Sequence, residues 1–157
     1  MRLAKSLTPK AFTLVEVMVA ISLAAIGVAT TIAALTKINS IASVARNLSG
    51  ATTIAQNQID LLLSDSPFNP QKTNPDGTVQ IPPELTLGTH VTNNVPIYKE
   101  PTSGVIVAGT MTTTVTDVSP VYNGFTIPIY QATVTITYTY LSRNYTVTMN
   151  TLRTSDI

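Results

Sequence analysis

Residues 12–35 read FTLVEVMVAISLAAIGVATTIAAL, 24 residues in which Glu16 is the only charge. As a helix at ~1.5 Å per residue they extend about 36 Å, enough to cross a hydrocarbon core of about 30 Å. Arg2, Lys5 and Lys10 precede the run and only Lys37 follows closely, a bias that keeps the N-terminus cytoplasmic and exports the remainder. A secretory signal peptide would have an apolar core of roughly 7 to 15 residues, uncharged and followed by a small-residue cut. This run fits that description poorly. A plain single-pass anchor explains length and orientation, but leaves Glu16 as an interfacial side chain reaching for the headgroups. An ionisable group inside a span costs about 2.5 to 3.5 kcal/mol at the helix centre and less near its ends, so Glu16 is itself a functional hypothesis.

The whole chain of 157 residues holds one ordinary domain plus an appended segment. Its composition is 44% hydrophobic and 11% charged, with mean hydropathy +0.26, which excludes a solvated disordered chain and points to contact with lipid or many protein neighbours. There is no cysteine, so disulfide staples, thiolate nucleophiles and thiolate metal sites are all excluded. Beyond Ala11 six basic residues face eight acidic ones, and that mildly acidic remainder carries no electrostatic footprint for nucleic acid.

No proline interrupts the chain between Pro9 and Pro67, and only Gly27 and Gly50 break the run of good helix formers. The helix is therefore expected to continue from its transmembrane half, 12–35, through an outer half, 36–64. Ile38, Ile41, Ala45, Leu48, Thr52, Ala55, Ile59 and Leu62 form a heptad stripe on that outer half. Most amphipathic helices bury such a stripe on their own domain, and this one is expected to do so rather than enter a free coiled coil. The stretch SDSPFNPQKTNPDGT, residues 64–78, ends the helix. Residues 65–104 read as an irregular connecting region with short strand segments near 78–81, 86–91 and 95–98.

Residues 105–157 read as an antiparallel sheet. TVTITYTY, residues 133–140, alternates threonine with Val134, Ile136, Tyr138 and Tyr140, and the alternation resumes from Tyr145. Closing a hairpin through Leu141 to Asn144 pairs Tyr140 with Tyr145, Tyr138 with Val147 and Ile136 with Met149. Residues 105–118 supply a third strand, and SPVYNG offers an Asn-Gly turn before Phe125. The fold class that results is α+β: one long N-terminal helix, transmembrane in its first half, packed on a C-terminal antiparallel meander.

Phe12 to Val28, behind its short basic leader, resembles the processing and methylation segment of type IV prepilins and of the pseudopilins of type II secretion. That family places a glycine before the cut, a large apolar residue first after it and a glutamate fifth. Phe12 stands first here and Glu16 fifth; Ala11 stands where the family has glycine, which bears on the efficiency of cleavage more than on its place. The resemblance implies that prepilin peptidase removes residues 1–11 between Ala11 and Phe12 and that the new Phe12 amine is N-methylated. It further implies a pilin-like fold, no cofactor, no catalysis, and assembly with other pilin or pseudopilin subunits into a filament, from an inner-membrane precursor whose C-terminal domain is exported. The short domain and the Ala11 departure lean toward a minor subunit.

On this reading the freed amine and the Glu16 carboxylate lie at one depth in the membrane and can offset each other's cost. The family resemblance gives the amine to a neighbouring subunit; geometry also allows an intrachain pair, because residues four apart on a helix are neighbours. Ala25, Ala29 and Ala33 recur every four residues and give a small-residue stripe where helices can approach closely. The competing reading is a membrane-anchored, exported binding domain that forms no filament. An anchored enzyme lacks candidates. His90 is a lone histidine among threonines and asparagines, no acidic spacing resembles a calcium loop, and the glycosylation triplets at Asn47 and Asn144 are weak patterns.

Overall fold

A computed structural model describes residues 13–64, 68, 86–101 and 104–155 of the chain. The chain divides into two compact units, Met1–Ala42 and Ser43–Ile157. One helix, α1, Leu14–Ser64, is 51 residues long and contributes to both.

The second unit contains α1 from Ser43 to Ser64 and a four-stranded antiparallel sheet. Its strands are β1 (Gly88–Lys99), β2 (Ile106–Asp117), β5 (Ile129–Tyr140) and β6 (Arg143–Thr154), in the spatial order β1-β2-β5-β6. Between β2 and β5 a miniature hairpin is inserted, β3 (Val121–Tyr122) and β4 (Phe125–Thr126). Each long strand has twelve residues and pairs with its sequence neighbour, so the sheet is a meander. The α+β layout of one long helix on an antiparallel sheet is the one expected.

The threonine alternation places apolar residues on one face. Tyr130, Ala132, Val134, Ile136 and Tyr138 of β5 are all buried, as are Met111 and Val115 of β2. Against them the helix buries Asn47, Ala51, Ala55, Ile59 and Leu62. Only the last three or so turns follow the heptad stripe, through Ala55, Ile59 and Leu62. Leu48 stays exposed and Ala45 with it. The helix approaches β1 closely at Gly50: a Cβ there would collide with the backbone carbonyl of Ile97. Small residues at 50, 51 and 55 let the helix backbone settle on the sheet.

Strand β1 lies inside the region 65–104 that was expected to be irregular. Two of the short segments recognised there, 86–91 and 95–98, are parts of one strand interrupted by register shifts at Thr92/Val95 and Pro96/Tyr98. The bulges break the period-two pattern that would have marked a single strand. The segment 78–81 lies outside the described residues.

The β5–β6 hairpin has a tighter turn than expected. Leu141 and Ser142 have φ of 49° and 59°, and Tyr140 pairs with Arg143 across a two-residue connection. Positive φ at both central positions is the twist that matches the flanking strands. The partners are therefore Tyr138 with Tyr145, Ile136 with Val147 and Val134 with Met149. This differs from the expected register by two residues, which keeps every side chain on its expected face. The Tyr138 and Tyr145 rings stack at 5.2 Å and 14°.

The C-terminal end of α1 is tied down by a cation. Arg153 Nη1 donates to the Leu62 carbonyl, one of the four acceptors that a helix leaves without internal partners. Its guanidinium also lies 4.6 Å from the centre of the Phe68 ring, which meets Tyr130 edge-on at 5.9 Å. Ser155 Oγ donates to the Phe68 carbonyl at 3.2 Å.

Candidate functional site

The candidate site is the first turn of α1. Thr13 precedes the helix and its Oγ1 accepts from the Glu16 backbone N–H at 3.3 Å. Glu16 Oε2 in turn accepts from the Thr13 backbone N–H at 3.2 Å and from its hydroxyl at 3.3 Å. This reciprocal arrangement is a capping box, a threonine at the N-cap and a glutamate three residues on. It satisfies two of the donors that a helix start leaves open and contributes about 1 kcal/mol to helix formation. The Glu16 carboxylate also sits at the positive end of the helix dipole. The sequence signal for this cap is the T-x-x-E of Thr13-Leu14-Val15-Glu16, which the charge reading of Glu16 does not use.

The capping bond is made within the chain, so Glu16 already has a partner one position after Phe12. Ala11 and Phe12, the expected cleavage and methylation residues, lie outside the described residues, as does the leader before them.

As far as Leu35 the helix is apolar on every side. Leu14, Val15, Met18, Ile21, Leu23, Ile26 and Ile32 are all exposed, and the helix is long and apolar enough to cross a membrane. A helix that is hydrophobic all round finds its stable environment in lipid or among other apolar helices. Its hydroxyls make no demand on either, because each bonds to the preceding turn. Ser22 Oγ donates to the Met18 carbonyl at 2.8 Å, Thr31 Oγ1 to that of Gly27 at 2.8 Å and Thr36 Oγ1 to that of Ala33 at 2.8 Å. Ala25, Ala29 and Ala33 are exposed residues of this helix at the four-residue spacing that stacks side chains along one stripe. At Gly27 an added Cβ would meet nothing within 4 Å.

In the sheet domain the charged and titratable groups are scattered. His90 stands on β1 and is part-buried; its Nε2 is 3.0 Å from Thr86 Oγ1 and 3.1 Å from the Thr86 carbonyl. The imidazole thus fastens the start of the strand. Among the described residues no group of three histidine, aspartate or glutamate side chains is placed to hold a metal ion. Ser119 lowers the Asp117 carboxyl through a side-chain hydrogen bond and through its backbone N–H at 2.9 Å. Burial raises the Tyr138 and Tyr130 phenols, with the neighbouring Tyr145 adding to the first and Asp117 to the second.

Residues 9–32 match the family model described as the Prokaryotic N-terminal methylation motif. No curated protein and no solved structure matches the chain. The match spans the last residues of the leader, the expected cut, the capping box and most of the apolar half of the helix. Such a motif goes with a type IV pilin-like protein that is processed by prepilin peptidase and anchored in a membrane before it assembles with other pilins, a structural family and not a catalytic one. The N-terminal segment of this chain is that of the prepilin-type cleavage and methylation family.

Proposed function

We propose that the chain is a structural subunit, probed outward through its sheet domain, of a type IV pilus-like or type II secretion filament, and that it catalyses no reaction. Prepilin peptidase cuts between Ala11 and Phe12, the Phe12 amine is methylated, and the α1 helices of successive subunits pack through the stripe of Ala25, Ala29 and Ala33. The observation that carries the reading is the coincidence of the methylation motif with a helix that is exposed and apolar on all sides. Lipid covers such a surface before assembly, and neighbouring helices can cover it afterward.

Glu16 has two tasks in this scheme. In the membrane its carboxylate caps its own helix through Thr13. On assembly it meets the methylated amine of a neighbouring subunit, and the ion pair sets the register of the incoming helix. The capping bond observed within the chain favours a second reading, in which Glu16 serves its own helix only and the protein is a membrane-anchored exported binding domain.

Glu16→Gln separates the two, because a glutamine at this position keeps the capping geometry and removes the charge. The filament reading expects normal insertion and folding with loss of assembly, scored by subunit content of sheared surface filaments. Assembly at the unsubstituted level would leave only the capping role. Mass spectrometry of the mature protein tests the processing step directly: a methylated phenylalanine at position 12 is expected, and an intact leader defeats the proposal.

A further inference from the structure

We propose that Asn144 is the acceptor of an N-linked glycan, attached where a polar groove opens on the threonine face of the sheet. The inference rests on the export of the sheet domain in the filament reading, because the pattern Asn-x-Ser/Thr is glycosylated on the surfaces of exported proteins.

Two triplets carry the pattern, Asn47-Leu48-Ser49 and Asn144-Tyr145-Thr146, and the structure separates them. Asn47 lies inside α1 and is 2% exposed, so helical geometry and packing close it to a modifying enzyme. Asn144 is exposed, the second residue of β6, directly after the tight turn at Leu141 and Ser142. Among the described residues β6 pairs with β5 on one side and has no strand on the other, so the extended backbone of 144–146 is open along its outer edge. Residues 144 and 146 are exposed while Tyr145 between them is half-buried, which places the asparagine amide and the threonine hydroxyl on one face. A transferase can grip the hydroxyl and reach the amide together in that arrangement.

The groove supplies a second, independent observation. It is an open cavity of about 690 Å³ lined by Asn93, Asn94, Thr110, Thr139, Asn144 and Thr146 among others, and none of its lining residues carries a formal charge. A bulge in β1 opposes Asn93 and Asn94 to the single residue Thr110, with Asn94 at φ 59°. Thr110 Oγ1 donates to Asn93 Oδ1 at 3.3 Å and Thr139 Oγ1 to Asn144 Oδ1 at 2.8 Å, which leaves both amide nitrogens as donors. An anionic ligand would call for lysine or arginine here and a cationic one for carboxylates. Amides and hydroxyls suit a neutral ligand rich in groups that both donate and accept. What singles out a sugar among such ligands is the triplet itself: Asn144 and Thr146 are part of the wall, so a glycan attached to Asn144 begins in the groove.

The transfer is a substitution without change of oxidation state. Asn144 Nδ2 attacks the anomeric carbon of a sugar carried on a lipid pyrophosphate; the C–N bond forms, the C–O bond to phosphate breaks, the lipid pyrophosphate leaves with the electron pair and the Nδ2 proton passes to solvent. The product also alters the sheet edge. β6 keeps an unbroken register with β5 over all twelve residues and contains no proline, so its outer side is a regular row of backbone groups of the kind that pairs with other chains. A bulky, hydrated group at Asn144 shields the start of that row.

Mass spectrometry of the full chain recovered from the cells that make it tests the assignment. The expected result is a mass above that of the polypeptide, placed on Asn144 by fragmentation that keeps the sugar attached. Asn144→Gln and Thr146→Val should each abolish the added mass, Thr146→Ser should retain it, and Asn47→Gln should leave it unchanged. All four exchange side chains of similar size, and an unaltered Tm for the Thr146→Val chain confirms that loss of the glycan is not loss of the fold. A bare Asn144 in the unsubstituted chain overturns the proposal, as does a sugar on a threonine hydroxyl or an added mass that survives Thr146→Val. The filament reading fails separately: a methylated Phe12 with a bare Asn144 sinks the glycan alone, and an intact leader beside a modified Asn144 sinks the filament alone.

Discussion

The two halves of α1 both carry small residues and put them to different ends. In the outer half Gly50, Ala51 and Ala55 press the helix onto its own sheet, with Ala51 and Ala55 fully buried. In the inner half Ala25, Ala29 and Ala33 repeat every four residues on a helix whose residues 14–39 are all exposed. A small-residue stripe thus specifies closeness of approach without specifying the partner. For the outer half the partner is supplied by the same chain; for the inner half it has to come from lipid or from another molecule.

Paired substitutions at matched residue types test this contrast. The largest effect is expected from Ile136→Ala in the core, which removes a fully buried side chain and should cost about 2 to 5 kcal/mol of stability. Ile26→Ala, at an exposed site on the inner half, should leave the unfolding of the sheet domain within about 0.5 kcal/mol of the unsubstituted chain. Both are read by denaturant unfolding of the full chain in micelles. Equal losses would mean that the inner half is also packed on its own domain.

Next comes the pair of glycines. Gly50→Val drives a side chain into the Ile97 carbonyl and should cost about 2 to 3 kcal/mol, visible as a lowered Tm, or rotate the helix and expose Ala51. Gly27→Val has open space and should not lower Tm, while the bulk it adds to the helix surface should reduce filament yield. A smaller effect, about 1 kcal/mol, is expected from Arg153→Met, which leaves the Leu62 carbonyl without its cation and should fray the end of α1. Amide exchange at residues 60–64 would register it, and unchanged protection there would remove Arg153 from the account of the helix end.

The smallest effect is a pH dependence confined to the sheet domain. The Tyr138 phenol is raised above its ordinary value of 10.0, chiefly by burial, so folding favours its neutral form. That contribution is complete below about pH 10 and is lost as pH rises through the folded value. Tyr138→Phe should flatten the alkaline limb of a stability profile, and a profile identical to the unsubstituted chain would show that burial of this hydroxyl is not felt.

Much of the molecule was legible from residue spacing. The charge-poor run from Phe12, the proline-free continuation to Ser64 and the threonine alternation around Val134 each report a local backbone geometry, and each led to the element that is present. The readings that missed share a different character. Strand β1 was hidden because its bulges at Asn93-Asn94 and Ile97 break the alternation by which strands are recognised. The β5–β6 register moved by two residues because Leu141 and Ser142, neither a usual left-handed residue, take positive φ in a two-residue turn. The capping role of Glu16 is carried by the local T-x-x-E pattern, and the hydrogen bonds with Thr13 express it.

By itself the sequence determined that there is one long helix, apolar on all sides in its first half, followed by strands with a greasy face and a threonine face. Those are consequences of 3.6-residue and two-residue periods, which any local stretch of chain carries. Only the tertiary structure decided how far along the helix its sheet-facing side is buried, because Leu48 and Ala51 are apolar neighbours three residues apart and only Ala51 is covered. The choice fell to contact distance: at Gly50 the helix can come up against the Ile97 carbonyl, and no residue with a side chain could sit there.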